Sequence, residues 1–163
     1  MMAGYGADAS RPASHDAARV PFRAGAWRAV ELDAGDVPRL QAFFDANPAY
    51  SLAVDADGMM AGVADVVSDL LAPRVWHVGL FIVATALHGR GAAHALYAAL
   101  EAWMRASGAA WIRLGVVAGN ARAERFWRRV GYVETRVRAG VAMGERVNAV
   151  RVLARPASTR HAR

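Results

Sequence analysis

A single α/β (α+β) domain is the fold class that three features of this 163-residue chain predict. The first is Val75 to Val83, an apolar run broken only by His77 and Gly79, which suits a strand buried on both faces. The second is the glycine-bearing turn His88-Gly89-Arg90-Gly91-Ala92-Ala93. It opens onto apolar residues at Ala92, Leu96, Ala99, Leu100 and Trp103, spaced as on one face of a helix. The third is the alternation downstream: a strand over Trp111 to Val117, then a helix over Ala121 to Val130 ended by Gly131. Two closing strands follow, over Tyr132 to Arg138 and Glu145 to Leu153. A hydrophobic content of 55% at this length supports one compact core.

In chain order, residues 1–26 are rich in Ala, Gly, Ser, Arg and Pro without periodicity, and are expected to form a mobile leader. Trp27 to Leu32 alternates weakly, as a first strand would. Asp33 to Asp36 offers N-cap chemistry, and Val37, Leu40, Phe43 and Phe44 then recur on one helical face that ends near Asn47-Pro48. Tyr50 to Val54 runs straight into the turn Asp55 to Gly58, leaving no second helix. Met59 to Val67 and Val75 to Val83 read as a hairpin joined by Ser68 to Arg74. A symmetric hairpin about Leu71 sets Asp65 opposite His77, with Cβ atoms roughly 5 Å apart. The helix that begins at Gly91 runs to Ala106 and stops before Ser107-Gly108. The folded domain is expected over 27–155, with 156–163 as a tail. Met59, Met60, Trp103 and Trp111 are expected in the core.

Composition removes several chemistries. The net charge of +6 comes entirely from arginine, since all twenty basic residues are Arg. Without lysine there is no Schiff-base chemistry. Without cysteine there are no disulfides, thiolate zinc sites, iron–sulfur clusters or covalent acyl-Cys intermediates. Basic residues are not interleaved with aromatics, so no nucleic-acid partner is expected. No apolar run approaches the roughly 20 residues that cross a bilayer, and the N-terminus lacks a signal-like apolar core. A cytoplasmic protein with no membrane partner is therefore expected. No two histidines have the H-E-x-x-H spacing, and no metal is expected.

Strand, glycine turn and helix together present several backbone N–H groups at the positive end of a helix dipole, a socket for an anion such as phosphate. A Walker A loop needs a Lys followed by Ser or Thr at the helix start, whereas Gly91 here precedes Ala-Ala-His. A dinucleotide fold wants a third glycine where His94 stands, and an acid after the next strand, where Ala118-Gly119-Asn120 stand instead. Both readings fail on those residues.

Two motifs in order carry a resemblance. His88 to Ala93 is similar to the Gln/Arg-x-x-Gly-x-Gly/Ala signature of the GNAT superfamily of N-acetyltransferases, with His in the first position as a departure. Asn120-Ala-Arg-Ala123-Glu-Arg-Phe126-Trp127-Arg-Arg-Val-Gly131-Tyr132 resembles the family's Asn-x-x-Ala-x-x-Phe-Tyr-x-x-x-Gly-Phe helix. With flanking elements the resemblance spans roughly Trp27 to Ala154. It implies a mixed, mostly antiparallel sheet flanked by helices, with a cofactor cleft between two splayed central strands. It also implies acetyl-CoA as acyl donor and an amine as acceptor. The pyrophosphate would rest on His88, Gly89, Arg90, Gly91, Ala92 and Ala93, and the pantetheine arm on the backbones of Leu80, Phe81, Ile82 and Val83. Asn120 and Phe126 would border the cofactor, although Asn120 also serves as a plain helix N-cap.

Acetyl transfer to an amine needs an oriented donor, a deprotonated amine and a stabilised oxyanion. His77, held by Asp65, is the candidate general base, because imidazole accepts a proton near pH 7. Trp127 stands where the family often has an acidic Tyr, and its indole N–H is too weak an acid to protonate a thiolate. The resemblance therefore leaves open a catalytically silent acyl-CoA-binding or interaction module, or a different donor or acceptor. The arginines of the second motif are expected to form a solvated helix face, and a homodimer through the C-terminal hairpin fits the pattern.

Overall fold

The computed structural model describes residues 22–30, 32–46, 55–56, 59–143 and 145–157. Two short hairpins come first. Strand β1 (Arg23–Ala24) pairs with β2 (Trp27–Arg28), and β2 pairs with β3 (Asp55–Ala56), which pairs with β4 (Met59–Met60). Between them lies helix α1 (Val37–Ala46), entered through a single 3-10 turn that Asp33 caps. The Asp33 carboxylate accepts from Gly35 N while Asp36 accepts from Asp33 N, a reciprocal pair that satisfies two of the otherwise free donors.

The main sheet has the order β5 (Gly62–Val67), β6 (Val75–Val83), β7 (Trp111–Val117), β9 (Arg146–Pro156) and β8 (Val133–Met143). Every neighbouring pair is antiparallel except β6 with β7. That parallel pair is bridged by α2 (Ala92–Ala106), and α3 (Ala121–Arg129) connects β7 to β8. Trp76 and Val78 of β6, Ile112, Leu114 and Val116 of β7 and Leu153 of β9 share one core with Tyr97, Leu100 and Met104 of α2 and Trp127 of α3. Both helices therefore cover one face of the sheet. On the other face, Leu40 of α1 packs with Val63, Met60 and Ile82.

One irregularity decides the shape of the centre. Asp65 pairs with Leu80 and Val66 with Val78, so Gly79 is an extra residue on β6. The bulge reverses the strand's faces. Before it Trp76 and Val78 meet the helices; after it Phe81 does so, while Ile82 turns to α1. Parallel pairing with β7 covers only Val75 to Val78 against Trp111 to Leu114, although β6 continues to Val83 and β7 to Val117. Beyond that row the two strands part.

Several expectations are corrected. Asp65 is not opposite His77, which pairs with Val67, because the bulge at Gly79 and a loop closed by the Asp69 carboxylate on Arg74 N move the register. The strand expected over Met59 to Val67 breaks at Ala61 into β4 and β5, which belong to different sheets. The first strand is shorter than Trp27 to Leu32, and its partner β1 falls within the expected leader. β8 extends to Met143, and β9 takes in Pro156, with Ala157 buried beyond it. Trp111 is 49% exposed and lies outside the core, since the first residue of β7 faces away from the helices. Val37 is exposed and leaves Leu40 to anchor α1. The segment 47–54, where no second helix was expected, lies outside the described residues, as do most of the leader and the tail. Among the described residues no helix is long and apolar enough to cross a membrane, and no group of three His, Asp or Glu could hold a metal ion.

Candidate active site

The parting of β6 and β7 leaves a cleft of about 690 Å³. Its walls are Val78 to Val83 of β6, Leu114 to Val117 of β7, the turn before α2, and the α3 residues Arg122, Ala123, Phe126 and Trp127. Along Gly79 to Val83 the backbone of β6 is paired to β5 on one side and to no strand on the other. An extended ligand can therefore add to it as a strand would.

The turn at the wide end of the cleft is built by its glycines. Gly89 and Gly91 both have a φ of 77°, in the left-handed region that L side chains avoid, and a Cβ at either would meet nothing within 4 Å. Gly91 is the N-cap of α2 and has no side chain to offer as a cap. No backbone hydrogen bond is donated by the N–H groups of Gly89 through Ala93 among the described residues. Five donors at the positive end of a helix dipole thus await an acceptor. His88 lines the cleft and its Nε2 lies 2.8 Å from the Val83 carbonyl, which ties the turn back to the end of β6.

Of the expected cofactor contacts, Leu80, Phe81, Ile82, Val83, His88, Gly89, Gly91, Ala93, Asn120 and Phe126 line the cleft. Arg90 and Ala92 do not; Arg90 is exposed and Ala92 is buried against Val83 and Leu96. Asn120 caps α3 by accepting from Ala123 N at 3.1 Å. Phe126 stacks on Phe81 and meets the His94 ring edge-on, with centroids 6.0 and 4.8 Å apart. Arg122, Arg125 and Arg129 border the cleft rather than standing clear of it as a solvated face. Their spacing of three and four on α3, directly after Asn120, was the signal available for this. Met143 reaches the cleft from the β8–β9 hairpin, which nothing in the sequence pattern marks.

The expected catalytic residues are arranged differently. Trp127 is 6% exposed and touches the cleft only as part of an aromatic cluster, with ring contacts to Phe81, Tyr97, Phe126 and Tyr132. His77 and Asp65 lie outside the cleft lining. The Asp65 carboxylate sits over Gly79, where a Cβ on that glycine would collide with it. His77 is half-buried, and its Nδ1 is buried without a hydrogen-bond partner among the described residues. Burial, and then the neighbouring Arg113, hold the His77 imidazole below its ordinary value, against a smaller opposing pull from Asp65. A lowered proton affinity favours the neutral imidazole, the form that accepts a proton.

A family model described as Acetyltransferase (GNAT) family matches residues 17–132. None of the curated proteins compared matches the sequence. Among solved structures, the ribosomal-protein-S18-alanine N-acetyltransferase from Escherichia coli is similar, with a TM-score of 0.64 at 19% identity over 78% of this chain and 92% of that one. Ard1 from Thermoplasma volcanium gives a TM-score of 0.65 at 17% identity over 80% and 97% of the two chains. A GCN5-related N-acetyltransferase from Kribbella flavida gives 0.54 at 25% identity over 82% and 83%.

Proposed function

Because this chain belongs to the acetyltransferase (GNAT) family, we propose that it is an N-acetyltransferase that uses acetyl-CoA and a primary amine together in a ternary complex. The observation that carries the reading is the run of unpartnered N–H groups at Gly89 to Ala93, set at the wide end of a cleft with one unpaired strand edge. When bound, acetyl-CoA supplies an acetyl thioester; binding, orientation and proton handling fall to the chain. The N–H groups of the turn would hold the pyrophosphate, and Arg122, Arg125 and Arg129 offer charge to the remaining phosphate. The free edge of β6 from Gly79 to Val83 offers its N–H and C=O groups to the amides of the pantetheine arm.

His77 takes the proton of the amine in this reading, relayed by water, and Asp65 draws the cationic form of that amine toward the sheet. No side chain is required to protonate the departing sulfur, because a thiol ionises not far above neutral pH. That accommodates Trp127 at its position. The test is release of free thiol from acetyl-CoA with a panel of amines, the acetylated product being identified by mass. The chain has no cysteine, so every thiol detected comes from the donor. Amine-dependent thiol release is the expected result. Tight acetyl-CoA binding with no release for any amine would instead make the protein a silent acyl-CoA-binding module.

A further inference from the structure

Two glycines flank the row at which β6 and β7 part. Gly79 is the bulged residue of β6, and Gly115 follows Leu114, the last residue of β7 paired with β6. Both line the cleft, and neither has a side chain. Neither glycine puts a side chain of its own between the cleft and the face turned away from α2 and α3, and the groups that stand over them are the Asp65 carboxylate and Val150. Larger residues do not fit: a Cβ on Gly79 would collide with the Asp65 carboxylate, and one on Gly115 would come within 3.0 Å of Val150 Cγ1.

The charges around this opening are sorted. Arg113 neighbours His77 in register and lies two residues before Gly115, so both share the outer face with it. Arg136 lies in one cross-strand row with Val152 and Gly115, and Arg138 in the next row with Val150 and Val117. Directly opposed residues point to the same face. None of Arg113, Arg136 and Arg138 forms an ion pair with a carboxylate among the described residues. On the helix face, by contrast, Arg151 pairs with Glu124 and Glu134, and Arg155 with Glu101. Burial and the like charges of Arg136 and Arg138 hold the Arg113 guanidinium below its ordinary value, the mark of a cation without a counter-charge. On the β6 side of the opening the charge is the opposite, with Asp65 over Gly79.

Resting on the acetyltransferase reading, we propose that the acceptor is a small amine that carries its own anionic group, a carboxylate or a phosphate. Its ammonium faces Asp65 and His77 at the Gly79–Gly115 opening, and its anion faces Arg113 and Arg136. Asp65 on β5 and Arg113 on β7 stand on either side of β6, two strand spacings of about 5 Å each, a gap that the long arginine side chain and such a molecule span together. Arg138 adds field from the next row.

The experiment compares matched pairs of acceptors: L-alanine with L-alaninamide, and phosphoethanolamine with ethanolamine. The expected result is that the anionic member of at least one pair has kcat/KM about tenfold or more above its neutral partner, as a charge-assisted hydrogen bond provides. Which pair responds tells carboxylate from phosphate. Arg113→Gln and Arg136→Gln should each lower that ratio through the amine KM, and Arg113→Lys should recover part of it. The thermal shift given by acetyl-CoA should persist in all three variants. Neutral members favoured or equal would overturn the inference, and so would ratios unchanged in both glutamine variants. Absence of thiol release with every anionic amine, in protein that acetyl-CoA stabilises, would overturn it as well. Loss of acetyl-CoA stabilisation in the unaltered protein would instead overturn the acetyltransferase reading.

Discussion

Gly91 holds a left-handed backbone at the first turn of α2, and what stands there decides a local conformation and, in the proposed reading, the hold on the cofactor. A Cβ meets no neighbour but must adopt a φ of 77°, so Gly91→Ala should cost about 1–2 kcal/mol of stability in urea denaturation. Gly91→Asp adds a carboxylate beside the free N–H groups and should raise the Kd for acetyl-CoA by about tenfold or more, read by calorimetry. His77 gives a second prediction. Its proton affinity is held below the ordinary value near 6.5, so the unfolded chain takes up a proton at this residue before the folded one does. Stability should therefore fall as pH drops through about 6.5, and melting of His77→Gln between pH 7.5 and 5.5 should show a shallower fall. In kinetics, kcat/KM should decline on the acid side with an apparent pKa below about 6.5. His77→Ala should lose both that limb and most of its turnover; an unchanged profile would place the base elsewhere.

At the scale of elements, the aromatic layer between α2 and α3 is fastened by Tyr97, whose hydroxyl lies 2.5 Å from that of Tyr132 just before β8. Both rings are buried, and burial pushes both phenols above their ordinary range. Tyr132→Phe leaves the Tyr97 hydroxyl without its partner and should cost about 1–3 kcal/mol, whereas removing both hydroxyls should cost less than the two single changes added together. Chemical denaturation of the three variants decides this. The elements most legible in the sequence are those whose burial is uniform. Val75 to Val83 is apolar almost throughout and was bounded to the residue, and Ala92, Leu96 and Leu100 mark the buried face of α2. Registers were not legible, because a bulge is a decision of two strands together. Gly79 was its only trace, and reading it as a break in an apolar run hid that it reverses the faces of β6. The break at Ala61 escaped for a like reason: Met59 to Val67 looks continuous, and only the partners of β4 and β5 separate them.

Over the whole molecule, the proposed function rests on one topological fact. β6 and β7 run parallel, are joined by α2, and hold together for only four residues before they part. The wide end then presents the N-terminus of α2 and the arginines of α3, and Gly79 and Gly115 line the narrow end. Much of the cleft lining was readable because its residues are close together in the chain: Leu80 to Val83, and His88, Gly89, Gly91 and Ala93. On the outer face, Asp65 and His77 were named from the sequence but in the wrong register, and Arg113 and Arg136 were not singled out, since the four residues come from four strands. The claim on which the account depends is that the cleft takes acetyl-CoA, and thermal melting of the full chain with and without acetyl-CoA tests it most directly. A ligand that binds only the folded state should raise stability by about 2.7 kcal/mol at a hundredfold excess over Kd, a shift of several degrees that Gly91→Asp should cut by about half or more. An unchanged melting temperature in cooperatively folded protein would contradict the account.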